Sequence, residues 1–547
     1  MSAVAESTAV EQPRYVKRRG GAKAVWERRR IELVLLGVAF AAYFALGAWL
    51  TLEAHVVYGD AESRLAHAYF VWWNEPRKLA AVGFVWPPIM TSAFVPLALV
   101  KPLATSLLAL PFFSALVGGA LLFTVSRTLG YLGMPPRERV VLAVLFGMNP
   151  IVVAYATNGM SEIASMWFLA LTVEAFVRWY HERLSRELVV AALFLAAGAL
   201  VRYETALLAI VLVPAIVAMV PRGEGRRVEV EANVVSLVAP LAYALAVWSF
   251  LNWTIIGHPL SWLQEETAQT FQQTRESAAR FGDPTHISLG RAAGTILGLD
   301  VRVFPLIFVV AAALVALAVH RRGGDPLAPT LAGAMLLNAA TSIFLTVWKQ
   351  TPHIFELRFN IHALPIAMIG IGWIYSSLAT RRARAAVWAA AAAALAATLP
   401  LTWHTMSTYR YQLNEHAFVN AVSTGRDQND SIVSLDPRAD LRMARFIKQH
   451  VKRRNSILAD DAQTFGVILR TGRPDLFVDR VDHGDNRWLQ IAETPFRTVP
   501  YVLVSNLGGD LVARLHPRAF GGAASGLRLV YATRTSHLYR VVGPVGG

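Results

Sequence analysis

Ionisable residues set inside or beside long apolar runs are costly to keep there, so they are where this chain is equipped to do chemistry. In ALVRYETALL, Arg202 and Glu204 interrupt more than thirty otherwise apolar residues. An arginine facing a cavity at such depth can hold a phosphate through its planar fork, and an Arg–Glu pair at a helix hairpin is the structural alternative. In VWKQTPHIFELRFNIHALP, Lys349, His353, Arg358 and His362 converge on one short connection, a charge pattern suited to an anionic ligand such as a lipid phosphate or to a solvated loop. In ATNGMSEIASMW, Glu162 opens a helix, where the dipole alone favours a carboxylate. The stretch VVYGDAESRLAHAYFVWW, Val56 to Trp73, carries Asp60, Glu62, Arg64 and His67. On a helix beginning near Asp60, residues 60, 64 and 67 share a face at spacings of four and three. Leu65, Ala68, Tyr69 and Trp72 form another face, suited to lie on a membrane. Asp60 also fits a plain N-cap with solvated charges around it.

The elements that must position these residues are read from composition. The 547 residues are 55% hydrophobic and 16% charged, with no cysteine and a net charge of +15. A soluble chain of this size carries about a quarter charged residues. Here the apolar residues come in blocks of bilayer-spanning length, so the chain reads as a polytopic α-helical membrane protein. Disulfides and thiolate metal sites are excluded. The basic excess sits largely in short loops and sets topology, so no nucleic-acid partner is implied.

Spans are expected at 31–50, 107–126, 139–156, 161–180, 187–201, 205–220, 233–252, 301–319, 327–348, 362–380 and 385–402, about eleven in all. Residues 1–30 form a basic cytoplasmic tail rather than a cleavable signal peptide, suited to contact anionic lipid. The basic connections (Arg127, Arg137 and Arg139; Arg178, Arg183 and Arg186; Arg222, Arg226 and Arg227; Arg321 and Arg322; Arg381, Arg382 and Arg384) then all fall inside. Reading 187–220 as a hairpin broken at VRYET, rather than as one long helix, keeps Arg202 and Glu204 off the bilayer centre and leaves the C-terminus outside.

Three outer segments are large. Loop 51–106 contains WPPIMTSAFVPLALV, read as an interfacial or re-entrant helix starting after Pro87-Pro88. Loop 253–300 has a helical look over SWLQEETAQTFQQTRESAARF. Residues 403–547 alternate helices and strands and read as a soluble α/β domain. In it, Asp460 and Asp461 follow a strand, a common ligand position in such domains, with Asp482, His483 and Asp485 further on. No strong metal spacing, Walker loop or nucleotide-binding glycine fingerprint occurs.

The order of these features resembles the GT-C superfamily of membrane glycosyltransferases over residues 31–402. The likeness is to the branch of the protein O-mannosyltransferases and the lipid A aminoarabinose transferase. It rests on Asp60 in the first outer loop, WPPI, NGMSE, VRYE and LRF. Ala61 separates the acids Asp60 and Glu62, where the family often has them adjacent. The tail is similar only in general plan to outer domains of actinobacterial cell-wall arabinosyl- and mannosyltransferases. The resemblance implies a catalytic membrane domain that takes a sugar from a polyprenyl-phosphate donor and passes it to a glycan, lipid or protein hydroxyl outside the plasma membrane, with inversion. It implies Asp60 as general base with Glu62 in reserve. Arg202 and Arg358 become the phosphate ligands, with Lys349, His353 and Arg64 beside them. Glu162, Glu204 and His67 become orienting groups. No cofactor is required and no metal ligand set is proposed. A lipid-linked glycan flippase would need internal pseudosymmetry, and no transporter-type repeat is visible. A lipid-linked polymerase or ligase differs mainly in donor size.

Overall fold

A helix crosses a bilayer when about 20 successive residues are apolar. The computed structural model describes residues 22–75, 77–83, 86–260, 287–321, 324–349, 355–410, 413–425, 436–506, 509–520 and 526–544. Among them, six helical segments are long and apolar enough to span: Arg29–Leu52, Ala109–Tyr131, Arg226–Ile255, Leu327–Trp348, Leu357–Ser377 and Arg381–Thr408. A bent pair would make a seventh.

The helices run α1 (Ala22–Leu52), α2 (Gly59–Trp73), α3 (Pro88–Ala98), α4 (Lys101–Thr105), α5 (Ala109–Tyr131), α6 (Pro136–Gly147), α7 (Pro150–Tyr155), α8 (Ser161–Glu182) and α9 (Ser185–Ala199). They continue as α10 (Ala209–Met219), α11 (Arg226–Ile256), α12 (Leu289–Val303), α13 (Leu306–His320), α14 (Leu327–Lys349), α15 (Leu364–Ser377), α16 (Arg381–Thr408) and α17 (Leu413–Thr424). Several expected spans are broken where proline removes a backbone donor. The expected span 139–156 divides into α6 and α7 at Pro150, and the expected span 301–319 divides around Pro305 into α12 and α13, which meet at 96°. Chain 187–220 does break at the arginine. Arg202 is extended (φ −149°, ψ 122°), and a 3-10 turn, Tyr203–Leu208, precedes α10. The side chain of Thr205 then folds back onto Gly198.

Helices pack in membranes through small residues that let backbones approach. A Cβ on Gly119 of α5 would stand 2.8 Å from the Leu36 carbonyl oxygen of α1, and one on Gly47 would stand 2.5 Å from Pro111 Cβ. At one end of this bundle, arginines read as topology signals are paired: Arg139 with Glu32 at 2.6 Å, and Arg127 and Arg178 with Glu174 at 2.5 and 2.7 Å. Arg127 lies about 25 Å along α5 from Leu110 by helical rise. Leu110 packs on Gly159, beside Ala61, so the paired arginines and Asp60 occupy opposite ends of the bundle.

The C-terminal region carries α18 (Pro437–His450), β1 (Ile457–Ala459), α19 (Asp461–Thr471), β2 (Phe477–Val478), α20 (Asp485–Glu493), β3 (Tyr501–Ser505), β4 (Leu527–Ala532) and β5 (Ser536–Val541). The sheet order is β2-β1-β3-β5-β4, with β1 parallel to β2 and β3 and the remaining pairs antiparallel. This is the α/β unit expected. Asp460 is used structurally: it caps α19 through Ala462 N–H at 3.2 Å and accepts Leu511 N–H at 2.9 Å.

This domain docks on α2. Glu62 accepts Arg470 Nε–H at 3.0 Å, Tyr69 donates to the Gly472 carbonyl at 3.2 Å, and Asn74 donates to Asp479 at 3.4 Å. Leu65, Ala68 and Tyr69 are fully buried, so the expected membrane-facing surface of α2 is a protein interface instead. Gly466 is required where α19 crosses: a Cβ there would sit 2.7 Å from Asp440 Oδ2 and 3.1 Å from Glu62 Oε1. Glu62 and Arg470 are 1% and 8% exposed, so removing one partner strands a buried charge. Glu62→Gln is expected to weaken the docked tail by about 3–5 kcal/mol, while Glu62→Met with Arg470→Met recovers most of the loss. Limited proteolysis, read as release of the tail from the membrane part, checks both.

Candidate active site

Tyr58, with an extended backbone, is the N-cap of α2, and its side chain makes no capping bond. Asp60 therefore does not cap the helix. It stands in the first turn, where the exposed backbone N–H groups favour a carboxylate. Its Oδ2 accepts Arg358 Nη1–H at 3.0 Å, and Arg358 Nε lies 2.8 Å from Glu356 Oε2. Arg358 and Glu356 come from the connection ahead of α15, where a short 3-10 turn, Leu357–Asn360, turns Arg358 inward.

A second arginine is held in the same way. Arg202, placed by the break after α9, reaches Glu162 at 2.9 Å and Glu204 at 2.6 Å. Glu162 is fully buried in the first turn of α8. Phe359 joins the two systems: Arg358 and Arg202 stand 4.9 and 5.1 Å from its ring centroid. Cation–π contact supplements the carboxylates on each guanidinium.

Arg64, one turn beyond Asp60, differs from both. It is 4% exposed, stacks 4.5 Å from the Trp86 ring centroid, and its Nε and Nη1 have no hydrogen-bond partner among the described residues. Burial lowers its pKa from the ordinary arginine value, and Asp60 and Glu162 oppose that fall. Trp86 is positioned by Pro87-Pro88, which open α3 as expected. The next residue, Ile89, donates its N–H to the Leu200 carbonyl at 3.1 Å, tying this loop to the turn that carries Arg202.

The structure thus brings Asp60, Arg64, Glu162, Arg202, Glu204 and Arg358 together. His67 shares their side of α2, but its Nδ1 bonds the Ala81 carbonyl at 3.1 Å and ties down the loop. Glu62 is turned away toward the tail domain. Residues two positions apart on a helix are about 200° apart, so a base at Asp60 excludes Glu62 from the same cleft. His353 and the side chain of Lys349 lie outside the described residues, as does the helix expected at SWLQEETAQTFQQTRESAARF. Among the described residues, no group of three or more His, Asp or Glu is placed to hold a metal ion.

Three participants were not singled out from the sequence: Glu356, Phe359 and Glu415. The first two share the stretch ELRF with Arg358 and ride with it. Glu415 lies in α17, beyond the last span, and hydrogen-bonds Tyr155 at the end of α7. Tyr58 donates to the neighbouring Asn414 carbonyl at 2.8 Å. No local pattern marks a contact across 260 residues.

Burial pushes the Glu415 carboxyl up to about 7. Its folded pKa lies above its unfolded value, so the folded state holds the extra proton. That stabilisation is present below the unfolded pKa and lost as pH rises through about 7. Thermal stability is expected to fall between about pH 5 and pH 8, and Glu415→Gln is expected to flatten the slope. Melting temperatures of both proteins across that range check the sign.

No protein-family model matches the chain, and no curated protein sequence does. Solved structures do. ArnT from Cupriavidus metallidurans bound to undecaprenyl phosphate matches with a TM-score of 0.54 and 13% identity, covering 93% of this chain and 98% of that one. The same protein in the apo state matches with a TM-score of 0.55 and 11% identity, covering 95% and 99%. The archaeal oligosaccharyltransferase AglB from Archaeoglobus fulgidus, in complex with an inhibitory peptide and a dolichol-phosphate, matches with a TM-score of 0.44 and 12% identity, covering 88% and 70%. The ArnT matches run nearly end to end in both chains, membrane helices and C-terminal region alike. The chain is a helical membrane protein that shares the fold of ArnT.

Proposed function

We propose that this chain is a glycosyltransferase that takes a sugar from a polyprenyl-phosphate donor and passes it to an acceptor hydroxyl at the outer membrane surface. The observation that carries this reading is the buried guanidinium of Arg64, whose Nε and Nη1 have no hydrogen-bond partner among the described residues, beside the Asp60–Arg358 and Glu162–Arg202 pairs. A phosphate oxygen supplies what its N–H groups lack, at charge-assisted strength. That ArnT, whose fold this chain shares, was solved with undecaprenyl phosphate supports a lipid phosphate as the anion.

The residues divide the work. Asp60 takes the proton of the acceptor hydroxyl as its oxygen attacks the anomeric carbon. The carbon–oxygen bond to phosphate breaks, and its electron pair leaves with the lipid phosphate. Arg64 receives the developing charge, with Arg358 and Arg202 behind it. Direct displacement on one carbon inverts its configuration. Arg358 holds one Asp60 oxygen and leaves the carboxylate its other oxygen for the proton. Glu162 and Glu204 keep Arg202 fixed, so these acids position the cation rather than touch the sugar. Glycan, lipid and protein hydroxyls are all compatible acceptors for this chemistry.

Asp60→Asn is expected to fold, to keep binding polyprenyl phosphate, and to lose about 10²–10⁴ in transfer rate. Arg64→Ala is expected to lose lipid-phosphate binding as well. Transfer of labelled sugar from a synthetic polyprenyl-phosphate donor measures the rate. Full activity in Asp60→Asn removes Asp60 from the chemistry.

A further inference from the structure

Helix α12 lies nearly across the direction of α13, at 96° to it, and its residues divide into three faces. Ala292, Ile296, Leu299 and Val303 are buried in the protein. Leu297 and Val301 are 38% and 49% exposed, forming an apolar strip on the surface. The third face carries Arg291, Gly294, Thr295, Gly298 and Arg302. With Thr408, Tyr409 and Arg410 from the end of α16, it encloses a groove of about 420 Å³.

The groove is cationic. Three arginines rim it, and among the described residues no acidic side chain lines it. Asp300, the one acid of α12, is buried on the opposite side of the helix. The floor is open backbone: a Cβ on Gly294 or Gly298 would meet no atom within 4 Å. The groove stands on the same face of the molecule as Asp60, because Tyr409 donates to the Phe355 carbonyl at 3.0 Å, one residue before Glu356. It is nonetheless a separate site, sharing no lining residue with the Asp60 cluster.

A helix lying across the span direction, with exposed aliphatic residues on one strip and guanidinium groups on the next, matches the chemistry of a lipid headgroup region. The strip meets acyl chains, while the arginines and bare glycine backbone face a phosphate. We infer that this groove binds the phosphate headgroup of an anionic membrane phospholipid. The exposed Leu297–Val301 strip alongside it favours a lipid over free phosphate.

The test needs no sugar transfer, so its outcome is independent of the proposed reaction. The full chain in detergent is titrated with phosphatidylglycerol, phosphatidylcholine or inorganic phosphate, and retained lipid is read by native mass spectrometry. The wild type is expected to retain phosphatidylglycerol over phosphatidylcholine and to be indifferent to inorganic phosphate. The triple variant Arg291→Gln, Arg302→Gln, Arg410→Gln is expected to bind phosphatidylglycerol at least about tenfold more weakly, each charged hydrogen bond contributing up to about tenfold. Should the triple variant fail to fold, Gly298→Leu fills the groove while keeping every charge, and it must lose the preference as well. Equal retention by wild type and variants overturns the inference. So does equal retention of the two lipids by the wild type, or displacement of phosphatidylglycerol by inorganic phosphate.

Discussion

Three guanidinium groups buried close together repel one another, and an isolated charge in an apolar interior costs several kcal/mol. Much of this fold is spent on answering that constraint. Arg358 is held between Asp60 and Glu356, and Arg202 between Glu162 and Glu204. These residues come from four separate places in the chain: the start of α2, the start of α8, the break after α9, and the connection before α15 with its 3-10 turn. A membrane bundle that brings those four points together has to break its helices at Arg202. Among the described residues Arg64 Nε and Nη1 are left unanswered, and on the proposed reading that incompleteness makes the cluster a binding site rather than only a structural knot.

Helix α2 links the cluster to the C-terminal domain. One side presents Asp60 and Arg64 inward, and the other presents Glu62 and Tyr69 to α19 and the turn after it. Because a single short helix carries both sets, the docking of the tail holds Asp60 in place. Glu415 adds a second tie, from the helix after the last span to Tyr155 behind Arg358. The tail is thus part of the mould for the site.

Membrane class, the α/β tail, the proline-started helix and the break at VRYE were all legible in the sequence, because each rests on local chemistry: apolar length, strand and helix period, and proline or buried charge. Asp60, Arg64, Glu162, Arg202, Glu204 and Arg358 were legible as charges in apolar surroundings. What escaped was direction. Glu62 looked like an understudy for Asp60 because it is near in sequence, yet helical rotation alone puts it on the far side. The apolar face of α2 looked like a membrane contact because burial by a distant domain and burial by lipid leave the same pattern. Glu415 was invisible because its partner is set by tertiary contact and not by spacing. The expected spans rested on apolar length and loop charge, which do not register that Pro150 and Pro305 break their segments into shorter helices.

The central claim is that Arg64 completes its hydrogen bonds with the phosphate of a lipid-linked donor beside Asp60. An electron-microscopy map of the protein with bound polyprenyl phosphate tests this directly. The account predicts phosphate density within hydrogen-bond reach of Arg64 Nε or Nη1, against Trp86 and facing Asp60. Phosphate density elsewhere, with Arg64 still unpartnered, would contradict it, and a continuous path through the bundle would favour transport instead.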